Sequence, residues 1–375
     1  MSYTPRDYGT MIGDDVRAEA YAQAMRQAIR PGDVVLDLGA GTGIFSLLAC
    51  KLGARHVHAC DANPAIQVAR ELARSNGLAG RITCHEGRSD KLTLPERVDV
   101  VVSDLRGVLP LHDRHISTLV DARTRHLKPG GILLPRKDQL WVALAEAPEE
   151  YQRAVTPWGK NDFGFDLEPW SRLLSNSWIS AQARSAQIVS APVLWSELDY
   201  RTVESPDVRG RLTCVASRAA VVHGFFLWFD ATIADGVTFS GGPDAPKLPY
   251  GCAFFPWLRP VTVKPEDMAE IDIGATLVGD EYTWTWRTRL GDARFAQSSF
   301  LGASLSSETL RKRAAGHVPE LNEDGKVALR VLHELGQRRP LAQIAEALFA
   351  EFPGRFASPA ECLGFVGKLS GKYGV

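Results

Sequence analysis

A glycine-rich stretch, VVLDLGAGTGIFSLLAC from Val34 to Cys50, combines residue types that could bind a nucleotide-like ligand. Glycine occurs at every second position from Gly39 to Gly43, directly after an apolar run that contains the acid Asp37. Glycine permits backbone angles that a side chain forbids, and it lets the main chain approach a ligand closely. We therefore predict a strand, a ligand-binding turn and a helix over this stretch.

Two acids near the turn indicate the charge of the ligand. Dinucleotide-binding turns use GxGxxG and place a pyrophosphate at a helix N-terminus, whereas here the spacing is one residue shorter and Asp37 would repel phosphates. Asp61 ends the next apolar run, 18 residues after Gly43, where a carboxylate can accept hydrogen bonds from both ribose hydroxyls. S-adenosylmethionine carries an ammonium and a sulfonium but no phosphate, and it is the cofactor that this combination predicts. The alternative is that the glycines only make a tight turn and the acids cap helices.

The surrounding pattern predicts the elements that position these residues. Between about residues 14 and 140, apolar runs alternate with stretches of helical spacing, which indicates a doubly wound parallel α/β sheet of the Rossmann-like type. We assign residues 1–139 to this cofactor domain. Residues 140–301 contain short aromatic-rich runs separated by turns, which predict a β-barrel domain with a partly helical insert at about 160–185. Three amphipathic stretches predict a small helical or winged-helix module at 318–375.

Composition argues against several classes of function. Hydrophobic residues make up 45% and charged residues 23% of the 375 residues, as in globular proteins, and the net charge of −1 does not favour nucleic acid or a membrane surface. No run reaches the ~18 apolar residues of a membrane span, and the polar start MSYTPRDYG is not typical of a signal peptide. The six cysteines include no CxxC pair, which indicates a reduced chain. We expect a cytoplasmic protein with no membrane or nucleic-acid partner.

Two short motifs have structural interpretations that we favour. His112 and His115 have a spacing that metal ligands use, but no acid and cysteine cluster accompanies them, so we expect histidines on a helix surface and no metal. Trp284 and Trp286 could stack on nucleic-acid bases. In a strand, however, both side chains share one face, which favours packing in a core or an interface.

The stretch MIGDDVRAEAY resembles the helix that precedes the core of the protein arginine methyltransferase family, with its pattern MxxDxxRxxxY. Met11, Asp14, Arg17 and Tyr21 are in register with that pattern. The resemblance implies that Arg17 binds the carboxylate of the cofactor, which the fork geometry of a guanidinium suits. It also implies that Met11 lies near the sulfonium.

The stretch EGRSDKLTLPERVDVVVSDLRG is similar to the adenine-binding stretch and the acidic loop of the same family. Ser89 and Asp90 match the adenine positions. The family loop reads Ser-Glu-x-x-Gly, with a second glutamate nine residues after the first. Here Ser103 and Asp104 begin the loop, and Asp113 follows nine residues after Asp104. Both acids are therefore present, each shorter than glutamate by one methylene.

Two acids on one loop suit a guanidinium acceptor, which is a poor nucleophile until carboxylates orient it and polarise one nitrogen. Asp104 would orient the acceptor, Asp113 would assist, and Arg106 between them could pair with either acid. Where the family has a Thr-His-Trp loop, this chain has LPYGCAFF, with Tyr250 and Gly251 at the histidine and tryptophan positions. The predicted catalytic residues are Asp104, Asp113 and Arg106, and the predicted cofactor-binding residues are Met11, Arg17, Asp37, Gly39, Gly41, Gly43, Asp61, Ala62, Ser89, Asp90 and Ser103.

The resemblance implies methyl transfer from S-adenosylmethionine to a peptide or protein side chain, with arginine as the default target. Two alternatives stay open: a small-molecule N- or O-methyltransferase on the same scaffold, and a non-catalytic binding protein that keeps the cofactor fold. PWGKNDFGFDL, from Pro157 to Leu167, resembles the start of the family's dimerisation arm, and VHGFFLWFDATI resembles one of its barrel strands. A homodimer is therefore implied.

The C-terminal stretch LNEDGKVALRVLHELGQRRPLAQIAEALFAEFP resembles, in composition, the PqqD-like winged-helix modules that hold precursor peptides. The resemblance implies that residues 318–375 deliver a peptide or protein substrate. A cap that only stabilises the chain is the alternative. Two arginines in GQRRP are too few basic residues to indicate DNA binding.

Overall fold

A computed structural model describes residues 4–304 and 306–374 of the chain. The chain divides into two compact units, Met1–Ala303 and Ser304–Val375. Among the helices in the described residues, none is both long enough and apolar enough to cross a membrane.

The first unit begins with a sheet of five parallel strands in the order β3-β2-β1-β4-β5. This arrangement confirms the predicted Rossmann-like α/β fold. Because the strand order reverses between β1 and β4, a crevice opens at the carboxyl ends of these two strands. The strands are β1 (Val34–Leu38), β2 (His56–Asp61), β3 (Ile82–Glu86), β4 (Val98–Ser103) and β5 (Leu127–Leu134). The helices are α1 (Pro5–Ile12), α2 (Asp15–Ala28), α3 (Ile44–Lys51), α4 (Ile66–Ser75) and α5 (His115–Arg125).

The stretch predicted as one helix before the core is two helices. Asp14 is the N-cap of α2, and its side chain accepts a hydrogen bond of 2.8 Å from the backbone N–H of Arg17. A capping aspartate satisfies backbone donors that have no partner within the helix, so a new helix begins there. Met11 consequently lies at the end of α1, whereas Arg17 and Tyr21 lie on α2.

The glycine turn joins β1 to α3, as predicted, and all five residues of β1 are buried. Gly43, at the N-cap of α3, has φ of 81°, a conformation that side chains rarely adopt. A Cβ atom at this position would lie 2.6 Å from the Cβ of Ala69 in α4. The last glycine therefore allows close packing of α3 against α4.

The rest of the first unit contains two antiparallel sheets, which together make up the predicted β-barrel region. One has the order β7-β12-β10-β6-β8 with β11 added to β10, and the other has the order β15-β14-β13-β9. The first sheet consists of β6 (Lys137–Ala145), β7 (Ile179–Ala181), β8 (Val193–Asp199), β10 (Ala220–Ala234), β11 (Val237–Ser240) and β12 (Cys252–Val263). The second consists of β9 (Val208–Val215), β13 (Met268–Val278), β14 (Glu281–Leu290) and β15 (Ala293–Ser298).

Aromatic side chains join the two antiparallel sheets. The ring of Phe255 on β12 lies 5.2 Å from each of the rings of Trp284 and Trp286 on β14, measured between centroids. Both tryptophans are buried. The prediction that they share one face and pack in the core is confirmed.

An insert follows β6 and carries exposed aromatic residues. It contains α6 (Pro148–Val155) and α7 (Glu168–Leu174). The rings of Trp158 and Trp170 stack at 5.0 Å. Phe163 and Phe165 are 85% and 71% exposed, so the tip of the insert presents apolar surface.

The second unit is helical, but the winged-helix form of the prediction is wrong. Residues 306–374 contain no strand, and the segments between the last three helices, 337–340 and 352–358, are too short for a paired hairpin. Val331, Ile344 and Cys362 lie at the centre of its separate core. The helices are α8 (Ser307–Lys312), α9 (Glu323–Gly336), α10 (Leu341–Glu351) and α11 (Pro359–Tyr373).

Candidate active site

A cavity of about 820 Å³ opens in the first unit, at the carboxyl ends of β1 and β4. Its position at the reversal of strand order is where open α/β sheets bind ligands. Residues of α1, α2 and the glycine turn line one part, and residues that follow β4 line another. The predicted residues that line it are Met11, Arg17, Asp37, Gly39, Asp61, Ala62, Ser89, Asp90, Asp104, Arg106 and Asp113.

Three of the predicted cofactor-binding residues do not line the cavity but support residues close to it. The backbone N–H of Gly41 donates a hydrogen bond of 2.8 Å to Oδ2 of Asp61. Gly43 packs against α4, as described above. The carbonyl of Ser103 accepts a hydrogen bond of 2.8 Å from the hydroxyl of Tyr21. These residues shape the site and are not among those that line it.

Asp37, at the carboxyl end of β1, is a buried carboxyl group held by one hydroxyl. The Oγ of Ser46 donates to its Oδ2 at 2.6 Å. Burial raises the pKa of Asp37 to about 6, although the hydrogen bond from Ser46 acts to lower it. A carboxylate in this position would be stabilised by a cationic ligand group.

Asp61, at the end of β2, is held by backbone amides. Gly41 N–H donates to Oδ2 and Asn63 N–H donates to Oδ1, the latter at 2.7 Å. Burial raises the pKa of Asp61, and the two amides oppose this shift. The carboxylate is thus oriented at the cavity wall, and it has further acceptor positions for hydroxyl groups.

Arg17 and Asp104 contact each other at the centre of the site. The Nε of Arg17 donates to Oδ2 of Asp104 in a short hydrogen bond, and both side chains are almost fully buried. The hydroxyl of Tyr250 donates to the same oxygen at 2.5 Å and lies 3.0 Å from Nε of Arg17. Burial acts to raise the pKa of Asp104, but the charges of Arg17 and Arg106 outweigh it, so the pKa lies below its usual value. Asp104 is therefore ionised at neutral pH.

Tyr250 is supplied by the antiparallel region, at the position where the resemblance places a histidine. Its ring packs against Phe229 and Phe239, at 5.3 and 5.9 Å between centroids. The following residue, Gly251, has φ of 66°, and a Cβ there would lie 2.7 Å from the carbonyl oxygen of Ala181. The replacement of tryptophan by glycine thus allows the backbone to pass close to β7.

Arg106 is buried, and its main partner is a residue that the sequence analysis did not identify. Its Nε and Nη2 donate to the two carboxylate oxygens of Asp138 at 2.7 and 2.9 Å. Its Nη1 donates to the hydroxyl of Tyr21 at 2.7 Å and to Oδ1 of Asp104 at 3.1 Å. The expectation that Arg106 pairs with Asp104 or Asp113 is therefore confirmed for Asp104, but the strongest contact of Arg106 goes to a residue outside the loop. Asp138 is its bidentate partner, and Asp104 accepts one hydrogen bond from it.

Asp113 lies at the rim of the cavity, apart from this cluster. Its side chain is 68% exposed, and its Oδ2 lies 3.4 Å from Nε2 of His112. His115 begins α5 and is buried, with Nε2 3.0 Å from the hydroxyl of Tyr200. Burial lowers the pKa of His115 to about 3. The expectation that both histidines lie on a helix surface is therefore wrong, because His112 precedes α5 and His115 is buried.

Known protein families match two consecutive parts of the chain. A family model described as ribosomal protein L11 methyltransferase (PrmA) matches residues 19–136, and one described as the arginine methyltransferase oligomerization subdomain matches residues 136–274. The two matches meet between β5 and β6. The first match thus covers the parallel sheet, and the second covers most of the antiparallel region.

A relative in Schizosaccharomyces pombe, protein arginine N-methyltransferase 1, is 30% identical over 263 residues, which cover 68% of this chain and 77% of the relative. The chain belongs to the protein arginine N-methyltransferase family. The probable protein arginine N-methyltransferase 6 of Arabidopsis thaliana is 31% identical over 245 residues, and the match spans 63% of this chain but only 55% of that protein.

Solved structures of arginine methyltransferases have the same fold. The structure titled Trypanosoma brucei PRMT1 enzyme-prozyme heterotetrameric complex with AdoHcy has a TM-score of 0.71 at 24% identity, over 77% of this chain and 95% of that chain. Arginine methyltransferase 10 of Arabidopsis thaliana has a TM-score of 0.68 at 21% identity, over 79% of this chain and 98% of that chain.

Asp37→Asn should change how the stability of this chain depends on pH. The folded-state pKa, about 6, exceeds the reference value of 3.8. The stabilising contribution of the protonated carboxyl is therefore fully present below about pH 4 and is lost as the pH rises through about 6. Relative to wild type, the free energy of unfolding of the variant should rise by roughly 2 kcal/mol between pH 4.5 and 7.5. Urea unfolding at both pH values measures this change.

Ser46→Ala is the matched control, because it removes the hydrogen bond to Asp37 and keeps the carboxyl. Since that hydrogen bond lowers the pKa of Asp37, the variant should lose stability more steeply than wild type as the pH rises. A difference between Asp37→Asn and wild type that is equal at the two pH values would contradict the buried, proton-binding carboxyl.

Proposed function

We propose that this chain is an S-adenosylmethionine-dependent methyltransferase that methylates arginine side chains of a protein or peptide. The family matches and the names of the relatives support the proposal. The observation that carries it is the contact between Arg17 and Asp104. The arginine expected to bind the donor touches the acid expected to bind the acceptor, and an in-line transfer requires donor and acceptor to meet.

The residues that line the cavity fit the cofactor. The volume of about 820 Å³ lies in the range of small-molecule sites. Asp37 would accept an ammonium group, which would relieve the cost of its burial, and Asp61 would accept ribose hydroxyls. Arg17 would bind the carboxylate, and Ser89 and Asp90 would bind the adenine. When bound, S-adenosylmethionine supplies a methyl group activated by a positively charged sulfur.

Asp104 would orient the acceptor through its charge. Arg17 and Tyr250 both donate to its Oδ2, so a shift of Arg17 towards a cofactor carboxylate would leave one acceptor position on that oxygen for an acceptor N–H. Because its pKa lies below the usual value, Asp104 stays ionised and acts on a guanidinium by orientation and electrostatic attraction. Asp113, at the rim, adds negative charge along the approach of a cationic side chain.

Asp104→Asn should abolish methyl transfer and keep cofactor binding. The amide cannot provide the charge that orients a guanidinium, so we expect a loss of roughly 100-fold or more in kcat/KM. Arg17 no longer has to leave a carboxylate, so the affinity for S-adenosylhomocysteine should be equal to or higher than that of wild type. Methylation of arginine peptides with labelled cofactor measures the first quantity, and calorimetry measures the second.

Mass spectrometry of a lysate incubated with enzyme and labelled cofactor locates the methyl group. Label on arginine side chains is the expected result, and label on a small metabolite would favour the small-molecule alternative. Binding of cofactor without any labelled product would favour the non-catalytic alternative. Asp113→Asn is the comparison variant, and its loss of kcat/KM should be smaller, because Asp113 is exposed at the rim.

We also infer that the chain forms a homodimer through the insert between β6 and β7. Phe163 and Phe165 are exposed at its tip. Residues 136–274, which include this insert, match a family model described as an oligomerization subdomain. A second copy of the chain is the occupant that these two observations favour.

Replacing Phe163 and Phe165 together by serine should dissociate the dimer. Burying each ring contributes about 1.5–3 kcal/mol, so the double variant should raise the dimer dissociation constant by roughly 100-fold or more. Sedimentation velocity over a concentration series measures it. Met268→Ser is the control, since it removes a side chain that is 62% exposed on β13. Monomeric wild type, or equal dissociation in both variants, would contradict the proposal.

The second unit is proposed to bind the polypeptide substrate. It has its own core, so it is built as a separate small module, and helices α9 to α11 occupy the stretch that resembles PqqD-like modules. Because residues 306–374 contain no wing, the resemblance to PqqD-like modules is limited to the three helices. The cytoplasmic location stays a prediction.

A chain that ends at residue 317 should methylate a short arginine peptide as fast as the full chain does, because the cavity lies within the first unit. It should label protein substrates in a lysate at least tenfold less, because the module no longer holds them. Parallel assays with labelled cofactor measure both rates. Equal labelling of protein substrates by the two chains would support the alternative of a stabilising cap.

A further inference from the structure

Asp138, the second residue of β6, is a fully buried carboxylate beside the active site. Its Oδ1 accepts a hydrogen bond from Nη2 of Arg106 at 2.9 Å. Its Oδ2 accepts from Nε of Arg106 at 2.7 Å and from the hydroxyl of Tyr200 at 2.6 Å. Asp138 is therefore fixed by three donors, and it does not line the cavity.

Arg106 is enclosed together with this carboxylate. The side chains of both residues have no exposed surface, and the guanidinium carbon lies 5.5 Å from the ring centre of Phe229 and 5.8 Å from that of Phe239. A buried charge that loses its partner is destabilised by several kcal/mol. Arg106 must consequently keep a carboxylate partner, and two carboxylates, Asp138 and Asp104, are within its reach.

The two carboxylates share Arg106 unequally. Asp138 forms a bidentate contact with Nε and Nη2 of Arg106. The Nη1 group donates to both Tyr21 and Asp104. Two-pronged pairing is the strongest arrangement between a guanidinium and a carboxylate. If Asp138 lost its charge, Asp104 would be the remaining carboxylate for Arg106, and Arg106 would occupy acceptor positions on Asp104.

We propose that Asp138 is a positioning residue that keeps Arg106 from closing the acceptor site. By holding Nε and Nη2 of Arg106, it leaves Asp104 free to bind the guanidinium of the substrate. Arg106 itself contributes one N–H that orients Asp104. This inference rests on the proposed function, since it assigns the substrate guanidinium to Asp104.

Asp138→Asn should therefore raise KM for an arginine peptide by about tenfold or more, with a smaller change in kcat. The affinity for S-adenosylhomocysteine should stay within about threefold of wild type, which shows that the site is folded. The acid limb of the pH profile of kcat/KM should move to lower pH, because Arg106 then contacts Asp104 more closely and favours its ionised form. A merely structural role of Asp138 would lower stability and leave the acid limb in place.

Asp104 belongs to a cluster of ionisable groups joined by hydrogen bonds, and apart from Asp138 itself each described member is retained in the Asp138→Asn variant. They are Arg17 and Tyr21 from α2, Arg106 from the same loop, His115 from α5, and Tyr200 and Tyr250 from the antiparallel region. A shift of the acid limb in this variant therefore reports the changed position of Arg106.

The double variant Arg106→Met with Asp138→Asn keeps the inference testable if the single variant fails to fold. It removes both buried charges, so KM should return to within about threefold of wild type. Its acid limb should lie at higher pH than that of wild type, because Asp104 has lost one stabilising cation. A double variant with KM as high as the single variant would overturn the inference.

Asp230→Asn is the control, because Asp230 is a carboxylate on β10 that accepts a hydrogen bond from the hydroxyl of Ser240. It should change neither KM nor the acid limb.

A readout without an acceptor separates this inference from the proposed function. The carboxyl carbon of Asp104, assigned by its loss in Asp104→Asn, is titrated by NMR in wild type and in Asp138→Asn. A lower midpoint in Asp138→Asn supports the movement of Arg106 even if no arginine peptide is methylated, in which case only the proposed function fails. An unchanged midpoint overturns the inference.

Discussion

Two guanidinium groups and two carboxylates are buried together where the parallel sheet meets the antiparallel region. Arg17 and Arg106 carry the positive charges, and Asp104 and Asp138 carry the negative ones. Burying any one of these charges without a partner would cost several kcal/mol, so each requires the others to be in place. This requirement of charge balance links α2, the loop after β4 and strand β6.

Both the parallel sheet and the antiparallel region contribute residues to this buried charge cluster. Asp104 follows β4 of the parallel sheet, but Tyr250, which hydrogen-bonds it, and Asp138, which holds Arg106, belong to the antiparallel region. Asp104, the acid expected to act on the acceptor, is therefore oriented by residues of both regions. The antiparallel region is therefore part of the proposed active site, because without it Arg106 would lose its bidentate partner.

The two ends of the cavity differ in electrostatic character. At the end proposed to bind the cofactor, Asp37 and Asp61 are held by a hydroxyl and by backbone amides, and burial raises the pKa of both carboxyls. At the end proposed to bind the acceptor, Asp104 is held by two arginines, and their charges lower its pKa. The first pair would gain stability from a cationic ligand. Asp104 already has cationic partners, so it can bind a further cation only where those partners leave acceptor positions free.

Local sequence determined the features that depend on neighbouring residues. The turn with Gly39, Gly41 and Gly43 follows directly from an apolar run and from glycine's conformational freedom. The resemblance to the family's acidic loop, with its nine-residue spacing, likewise implied that Asp104 and Asp113 would border one cavity, and both line it. The pattern of apolar runs predicted the parallel sheet, because strand and helix periodicities are local properties.

Only the tertiary structure decided which charges pair. Arg106 was expected to pair with an acid of its own loop and does donate one N–H to Asp104. Its bidentate partner, however, is Asp138, 32 positions further along the chain, with Tyr200 bound to the same carboxylate. Three amphipathic helices likewise did not reveal whether a wing accompanies them, and residues 306–374 contain none. The partner of a buried charge depends on which strands and loops pack around it. That packing is set by long-range contacts, which residue spacing along the chain does not encode.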